Sequence, residues 1–152
     1  MQAGNKIYFG LPYKSSLDYI DPDSKTGSYD MQNIESYKDL KVWKKGMDLT
    51  KAIYLFTRGF PSEEKFGLSS QIRRSAVSIP SNIAEGYGRG SRIDYCRFLK
   101  IACGSLYECQ TQLELALDFE YISPQQFSRT QSIAEEVSKM LNALIRKLEE
   151  KY

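Results

Sequence analysis

A chain of 152 residues, 41% hydrophobic and 26% charged, has the size and composition of one ordinary soluble domain with a buried core. It contains no His, which removes the usual general base near neutral pH and the commonest metal ligand. No apolar run approaches the ~20 residues needed to span a bilayer, and no continuous apolar stretch of a secretory signal opens the chain, so a cytoplasmic protein without membrane contact is expected.

The net charge of +2 is unevenly spread. Residues 38–100 hold 13 Lys and Arg against 6 Asp and Glu, whereas residues 101–152 hold 5 against 8. Such a basic half can attract phosphate backbones or an acidic partner, or serve as a solvated surface whose charges cancel across the fold. The three cysteines, Cys96, Cys103 and Cys109, fall on one expected helix. Cys96 and Cys103 stand roughly 10 Å apart along a helix axis, too far for a disulfide. Reduced, buried thiols are expected, with no metal site and no cofactor.

Residues 1–35 are expected to form an irregular N-terminal extension, with Gly4, Gly10, Pro12, Pro22 and Gly27 and no helical period. Ile7-Tyr8-Phe9 is a candidate short strand or docking arm; the alternative is that the stretch is a flexible tail or appended leader, with Met31 a candidate authentic start. Residues 36–152 are read as one bundle domain. Its first helix is expected from about Tyr37 to Arg58, with Ser36 as N-cap and Asp39 in the first turn. Leu40, Trp43, Met47, Thr50, Ile53 or Tyr54, and Thr57 trace the expected buried face. Gly59-Phe60-Pro61 ends it.

The second helix is expected to open after Ser62 and run to about Tyr87. It carries two stripes at helical spacing: Ile72, Ala76, Ile79 and Ile83 are apolar, and Gln71, Ser75, Ser78, Asn82 and Glu85 are polar. A row of amides, hydroxyls and one carboxylate is unlike a plain Lys/Glu solvated face. It implies groups that meet a neighbouring helix, a subunit or a ligand. Pro80 within this helix removes a backbone donor and predicts a kink. Gly86, Gly88 and Gly90 follow a helix rather than a strand and lack the Lys-Ser/Thr ending of a phosphate loop, so they are read as a tight helix-to-helix connection.

Ser91 is the expected cap of the third helix, with a seam of Tyr95, Phe98, Ala102, Leu106, Cys109, Leu113 and Ala116. The small residues from Ala102 to Ser105 would let another helix approach. The fourth helix starts at Ser123 with Pro124 in the first helical position, and its seam is Phe127, Thr130, Ala134, Val137, Leu141, Leu144 and Leu148. Four long helices with short links predict an all-α, up-down-up-down four-helix bundle.

Several stretches carry a family resemblance: Leu40-Lys41-Val42-Trp43, Phe60 through Leu68, Gln71 through Gly86, and Gly104-Ser105-Leu106-Tyr107-Glu108. Over about Ser36 to Leu148 the chain resembles the bacterial 23S rRNA intervening-sequence proteins, also called four-helix bundle proteins. The resemblance implies a ring-like homopentamer of bundles, encoded within insertions in 23S rRNA genes and of poorly defined cellular role. A related branch, the accessory proteins of diversity-generating retroelements, binds nucleic acid through a basic surface and partners a reverse transcriptase. The family supplies no catalytic residues to carry over.

The leading functional expectation is a non-enzymatic homo-oligomer that binds RNA or DNA. The candidate contacts are Lys41, Lys44, Lys45, Arg73, Arg74, Arg89, Arg92, Arg97 and Lys100, with Tyr87 and Tyr95 as candidate stacking platforms or as ordinary packing at a helix junction. The polar stripe would hydrogen-bond across subunits or within the bundle, Glu85 pairing with Arg73, Arg74 or an Arg of another subunit. The alternative is a protein–protein adaptor docking an acidic partner or a reverse transcriptase. For an enzyme the one convergent polar set is Glu85, Asn82 and Ser78, and it offers no nucleophile–base pair.

Overall fold

The structure, a computed structural model, describes residues 34–150. The expectations for Ile7-Tyr8-Phe9 and Met31 lie outside the described residues. Among the described residues there are four α-helices: α1 Lys41–Phe56, α2 Leu68–Gly88, α3 Arg92–Asp118 and α4 Pro124–Glu149. α2 packs on α1 and α3, and α4 packs on α3 and α1, so the four close a square with α1 diagonal to α3. The basal end gathers the start of α1, the α2–α3 connection and the finish of α4, and the apical end gathers the other termini. This is the all-α four-helix bundle the apolar periods called for.

Local chemistry fixes the helix ends. Ser36 forms a reciprocal capping box with Asp39, but over a 3-10 turn at Tyr37–Asp39 rather than over α1 itself. Leu40 is extended (φ −64°, ψ 121°), and α1 restarts at Lys41. The expected single helix from Tyr37 is therefore two pieces. The start of α2 also differs from expectation. Ser62–Phe66 is a separate 3-10 segment, and the Glu64 carboxylate accepts from the Leu68 N–H at 2.7 Å, so a side chain four residues back caps α2 in place of Ser62. Ser91 caps α3, and Ser123 forms a capping box with Gln126 ahead of Pro124 at the start of α4, both as the sequence indicated.

At the end of α3, Tyr121 N–H bonds to Ala116 C=O and Glu120 N–H to Leu117 C=O, a Schellman motif. Its left-handed position is occupied by Glu120, with φ 59°. In the α2–α3 connection the left-handed residue is Gly90, with φ 69°. A side chain at Gly86 would sit 2.6 Å from Phe98 Cβ, so glycine there lets α3 fold back against α2.

The core is one apolar cluster. On α2 it takes Ile72, Ala76, Ile79 and Ile83, all fully buried, as the apolar stripe required. On α3, Leu99 rather than Phe98 is buried, and on α4, Ile145 rather than Leu144. On α1 the buried row is Val42, Gly46, Leu49, Ile53 and Phe56. The expected row of Trp43, Met47 and Thr50 is half-buried on the flank facing α2. That correction follows from the square packing, in which α1 turns one face to the centre and a second to its neighbour. Apically, Phe56, Phe60, Tyr121 and Phe119 form a chain of ring contacts 5.2–5.8 Å between centroids.

α2 runs unbroken from Leu68 to Gly88 through Pro80. Proline lacks the N–H that would bond the Ala76 carbonyl. The Thr50 hydroxyl of α1 reaches that carbonyl at 3.0 Å, and Gly46, one turn earlier, lies beside the Pro80 ring.

Candidate functional site: the basic end and the α2–α3 polar seam

The nine nominated cations do not form one surface. Lys41, Lys44 and Lys45 lie on the first turns of α1, and Arg89, Arg92, Arg97 and Lys100 lie at the α2–α3 connection and the first turns of α3. All seven lie on the basal half of the bundle, with Lys45 at the height of Glu136, midway along α4. Arg73 and Arg74 sit apically. Arg73 Nε donates to Thr57 Oγ1 at 2.8 Å, and its guanidinium lies 5.0 Å from the Tyr54 ring centroid. Arg73 thus ties α2 to the end of α1.

The basal cations differ in how firmly they are held. Lys45 pairs with Glu136 of α4 at 2.7 Å, and Lys100 pairs with Glu149 at 2.6 Å. Arg89 pairs with Glu85 one turn back and lies 5.1 Å from the centre of the Phe98 ring. Lys41 and Arg92 are also engaged by neighbouring groups. Lys44, Arg74 and Arg97 are exposed and form no ion pair among the described residues. The hydrogen bond from Lys100 holds the Glu149 carboxyl below its usual range, and the same bond raises the Lys100 ammonium. Between the ends of α3 and α4 opens a cavity of about 610 Å³. Ile93, Ile101 and Leu148 supply its apolar lining, and Arg92, Arg97 and Lys100 its cations.

Tyr95 is not presented to a base. Tyr95 is buried, 2% exposed, and meets Tyr87 edge to face with centroids 6.2 Å apart. Both rings pack at the helix junction. Burial, then the Asp39 charge, pushes the half-buried Tyr87 phenol up.

The polar stripe of α2 faces α3. Ser75, buried, donates to Gln112 Oε1 at 2.7 Å, and Ser78 and Ser105 share a hydrogen bond of 2.8 Å. Asn82 Nδ2 donates to the Ser78 carbonyl and hydroxyl at 2.7 and 2.9 Å. Gln71 is exposed, and Glu85 turns to Arg89 rather than to Arg73 or Arg74. The middle of the stripe thus works within one bundle. Leaving one of these part-buried groups unpaired would cost ~1–3 kcal/mol, so the pairs fix the register of α2 on α3. Glu85 does not converge with Asn82 and Ser78: the hydroxyl and amide bond each other, while the carboxylate is at the surface beside Arg89.

Gln112 was not singled out by the sequence, and Ser105 was read only as one of the small residues that let another helix approach. Their one signal was a polar or small residue on the α2 side of an otherwise apolar α3 seam. The cysteines are free; Cys109 is buried, whereas Cys96 and Cys103 are half-buried rather than buried as expected. Burial pushes the Cys109 thiol up to about 12.

Helix order, short connections and the α2–α3 seam define an up-down-up-down four-helix bundle protein. The chain belongs to the 23S rRNA-intervening sequence protein family, whose model matches residues 38–143. It is also similar to a crystal structure described as a protein with unknown function from the S23 ribosomal protein family of Bacteroides thetaiotaomicron VPI-5482. Identity to that chain is 30%, with 68% of this chain and 97% of that one covered and a TM-score of 0.63. No match is found among curated proteins. Among the described residues, no helix is long and apolar enough to cross a membrane.

Proposed function

We propose that this chain is a non-enzymatic homo-oligomer, a pentamer as the family resemblance implies, that binds RNA or DNA through its basal end. The association would be with an rRNA intervening sequence or a retroelement. The observation that carries this reading is that Lys41, Lys44 and Lys45 on α1 and Arg89, Arg92, Arg97 and Lys100 at the α2–α3 connection and the start of α3 all lie on the basal half of the bundle. A ring of parallel copies would present that end once per subunit, so individually weak phosphate contacts would act together. Exposed Lys44 and Arg97 are the first contacts assigned to phosphate, with the cations around the α3–α4 cavity beside them.

An electrophoretic mobility shift with structured RNA and duplex DNA tests the reading. Lys44→Glu combined with Arg97→Glu is expected to weaken binding at least tenfold, and Arg74→Glu at the far end to change it much less. Equal losses from both would contradict the basal site. The same basic end also suits an acidic protein, including a reverse transcriptase. A pull-down that survives nuclease treatment, with no nucleic-acid binding, would favour that adaptor reading.

A further inference from the structure

We propose, on the nucleic-acid-binding reading above, that the cavity between the start of α3 and the end of α4 is a pocket for one unpaired nucleotide in an otherwise paired strand, with a preference for a base that carries an exocyclic amine.

A surface that only follows a phosphate backbone needs cations and little else. This cavity is built differently. Ile93, Arg97 and Ile101 recur at steps of four on α3, so one cation stands between two apolar side chains. Leu148 of α4 adds a third apolar group. Ile93 is 67% exposed and Ile101 42%, so packing within the bundle does not account for them. They place apolar walls in the middle of the basic half of the bundle, where the flat face of a base can lie against them. Bases splayed out of a loop or bulge are the usual targets of sequence-specific RNA recognition.

The cavity is also larger than a phosphate needs. Its volume of about 610 Å³ falls within the ~300–1,000 Å³ of ordinary ligand pockets. Ile93 and Ile101 stand about 12 Å apart along the helix axis at 1.5 Å per residue, which is room for a base with its sugar and phosphate. The exposure of Ile93 leaves one side open to solvent, so an occupant can stay joined to a longer strand.

The polar groups divide by what they can meet. Arg97 is exposed and forms no ion pair among the described residues, so its guanidinium is the group for the flanking phosphate. Lys100 does not serve that role, because Glu149 holds it at 2.6 Å, and Arg92 is engaged by neighbouring groups as well. The Lys100–Glu149 pair instead presents a donor and an acceptor side by side on the cavity wall. An ammonium has three protons and a carboxylate accepts at two oxygens. The contacts of Lys100 and Cys96 with Glu149 both fall on Oε1. The pair can therefore meet the edge of a base without breaking. A carboxylate suits the exocyclic amine of adenine, cytosine or guanine and finds no such amine on uracil or thymine.

The test is a set of fluorescence-anisotropy titrations of the full chain with three RNA hairpins: fully paired, with one bulged adenosine, and with one bulged uridine. The adenosine bulge is expected to bind about tenfold tighter than the paired hairpin, and the uridine bulge to fall between them. Ile93→Ser combined with Ile101→Ser, both at exposed positions, is expected to abolish the gain from the bulge and to leave affinity for the paired hairpin nearly unchanged. Glu149→Ala releases Lys100, so affinity for all three hairpins is expected to rise while adenosine and uridine become equal. Circular-dichroism melting checks that each variant folds. Equal wild-type affinity for paired and bulged hairpins, or a bulge preference that survives the double serine variant, would overturn the pocket and leave the basal phosphate-binding surface standing. No binding of any hairpin would overturn the nucleic-acid reading and the pocket with it.

Discussion

The Thr50 hydroxyl donates to the carbonyl of Ala76, 3.0 Å away on the next helix, the same carbonyl that Pro80 leaves without its helical donor. A side chain of α1 thus supplies the bond that α2 cannot make for itself. Thr50 also reaches the Gly46 carbonyl at 2.9 Å, so one hydroxyl serves both helices. Thr50→Val keeps the shape and removes the donor. It is expected to cost about 1–2 kcal/mol by chemical denaturation. In a Pro80→Ala background, where α2 regains its own N–H, the same change is expected to cost appreciably less. A double-mutant cycle with no coupling would show that the two features are independent.

Gly86 and Gly46 separate two uses of glycine. A Cβ at Gly86 would lie 2.6 Å from Phe98 Cβ and 3.0 Å from Tyr95 Cδ2, so Gly86→Ala must push α3 away from α2, at an expected cost of about 1–3 kcal/mol. A Cβ at Gly46 would lie 3.6 Å from Ile79 and 3.7 Å from Pro80, ordinary contact, and Gly46→Ala is expected to be neutral or stabilising. Thermal melts of the two variants check the contrast.

Glu120 holds a left-handed position in the Schellman turn after α3. For a residue with a Cβ this costs roughly 1–2 kcal/mol. Glu120→Gly is therefore expected to raise the melting temperature by roughly 4 °C. An unchanged or lower temperature would mean that the carboxylate contributes more than its backbone strain.

The cysteines should separate by reactivity. Burial keeps the Cys109 thiol protonated up to about 12 in the folded chain, above the ordinary value of 9.0. A raised folded value contributes stability below pH ~9 that is lost as pH rises toward 12. Native protein treated with a maleimide at pH 8 is expected to be labelled at Cys96 and Cys103 before Cys109, with Cys109 following only on unfolding. Mass mapping that finds Cys109 labelled first would contradict the packing of α3 on α2.

The helix caps at Ser36, Ser91 and Ser123 were legible because capping depends on residues within one turn. The breaks at Leu40 and Gly67 were not, since the second depends on Glu64 reaching forward to cap Leu68. Adjacent apolar pairs, Phe98–Leu99 and Leu144–Ile145, left the phase of two seams open until neighbouring helices decided which member is buried. The polar stripe from Gln71 to Glu85 was visible as a pattern, but its partners Ser105 and Gln112 are 27 and 37 residues from the serines they bind. The nine cations could be counted but not sorted, because the antiparallel course of α1 and α2 sends Arg73 and Arg74 away from the other seven. The outward apolar residues Ile93 and Ile101 of α3 escaped notice because Arg97 interrupts the apolar step between them.

The most direct test of nucleic-acid binding by an oligomer is a fluorescence-anisotropy titration of structured RNA and duplex DNA at several salt concentrations, with the mass determined on the same sample. Binding by an assembled species is expected, with affinity falling steeply as salt rises. A loss of about 10³–10⁵ between 50 and 200 mM would correspond to six to ten phosphate contacts. No binding at low salt by an intact oligomer, or an affinity indifferent to salt, would contradict it.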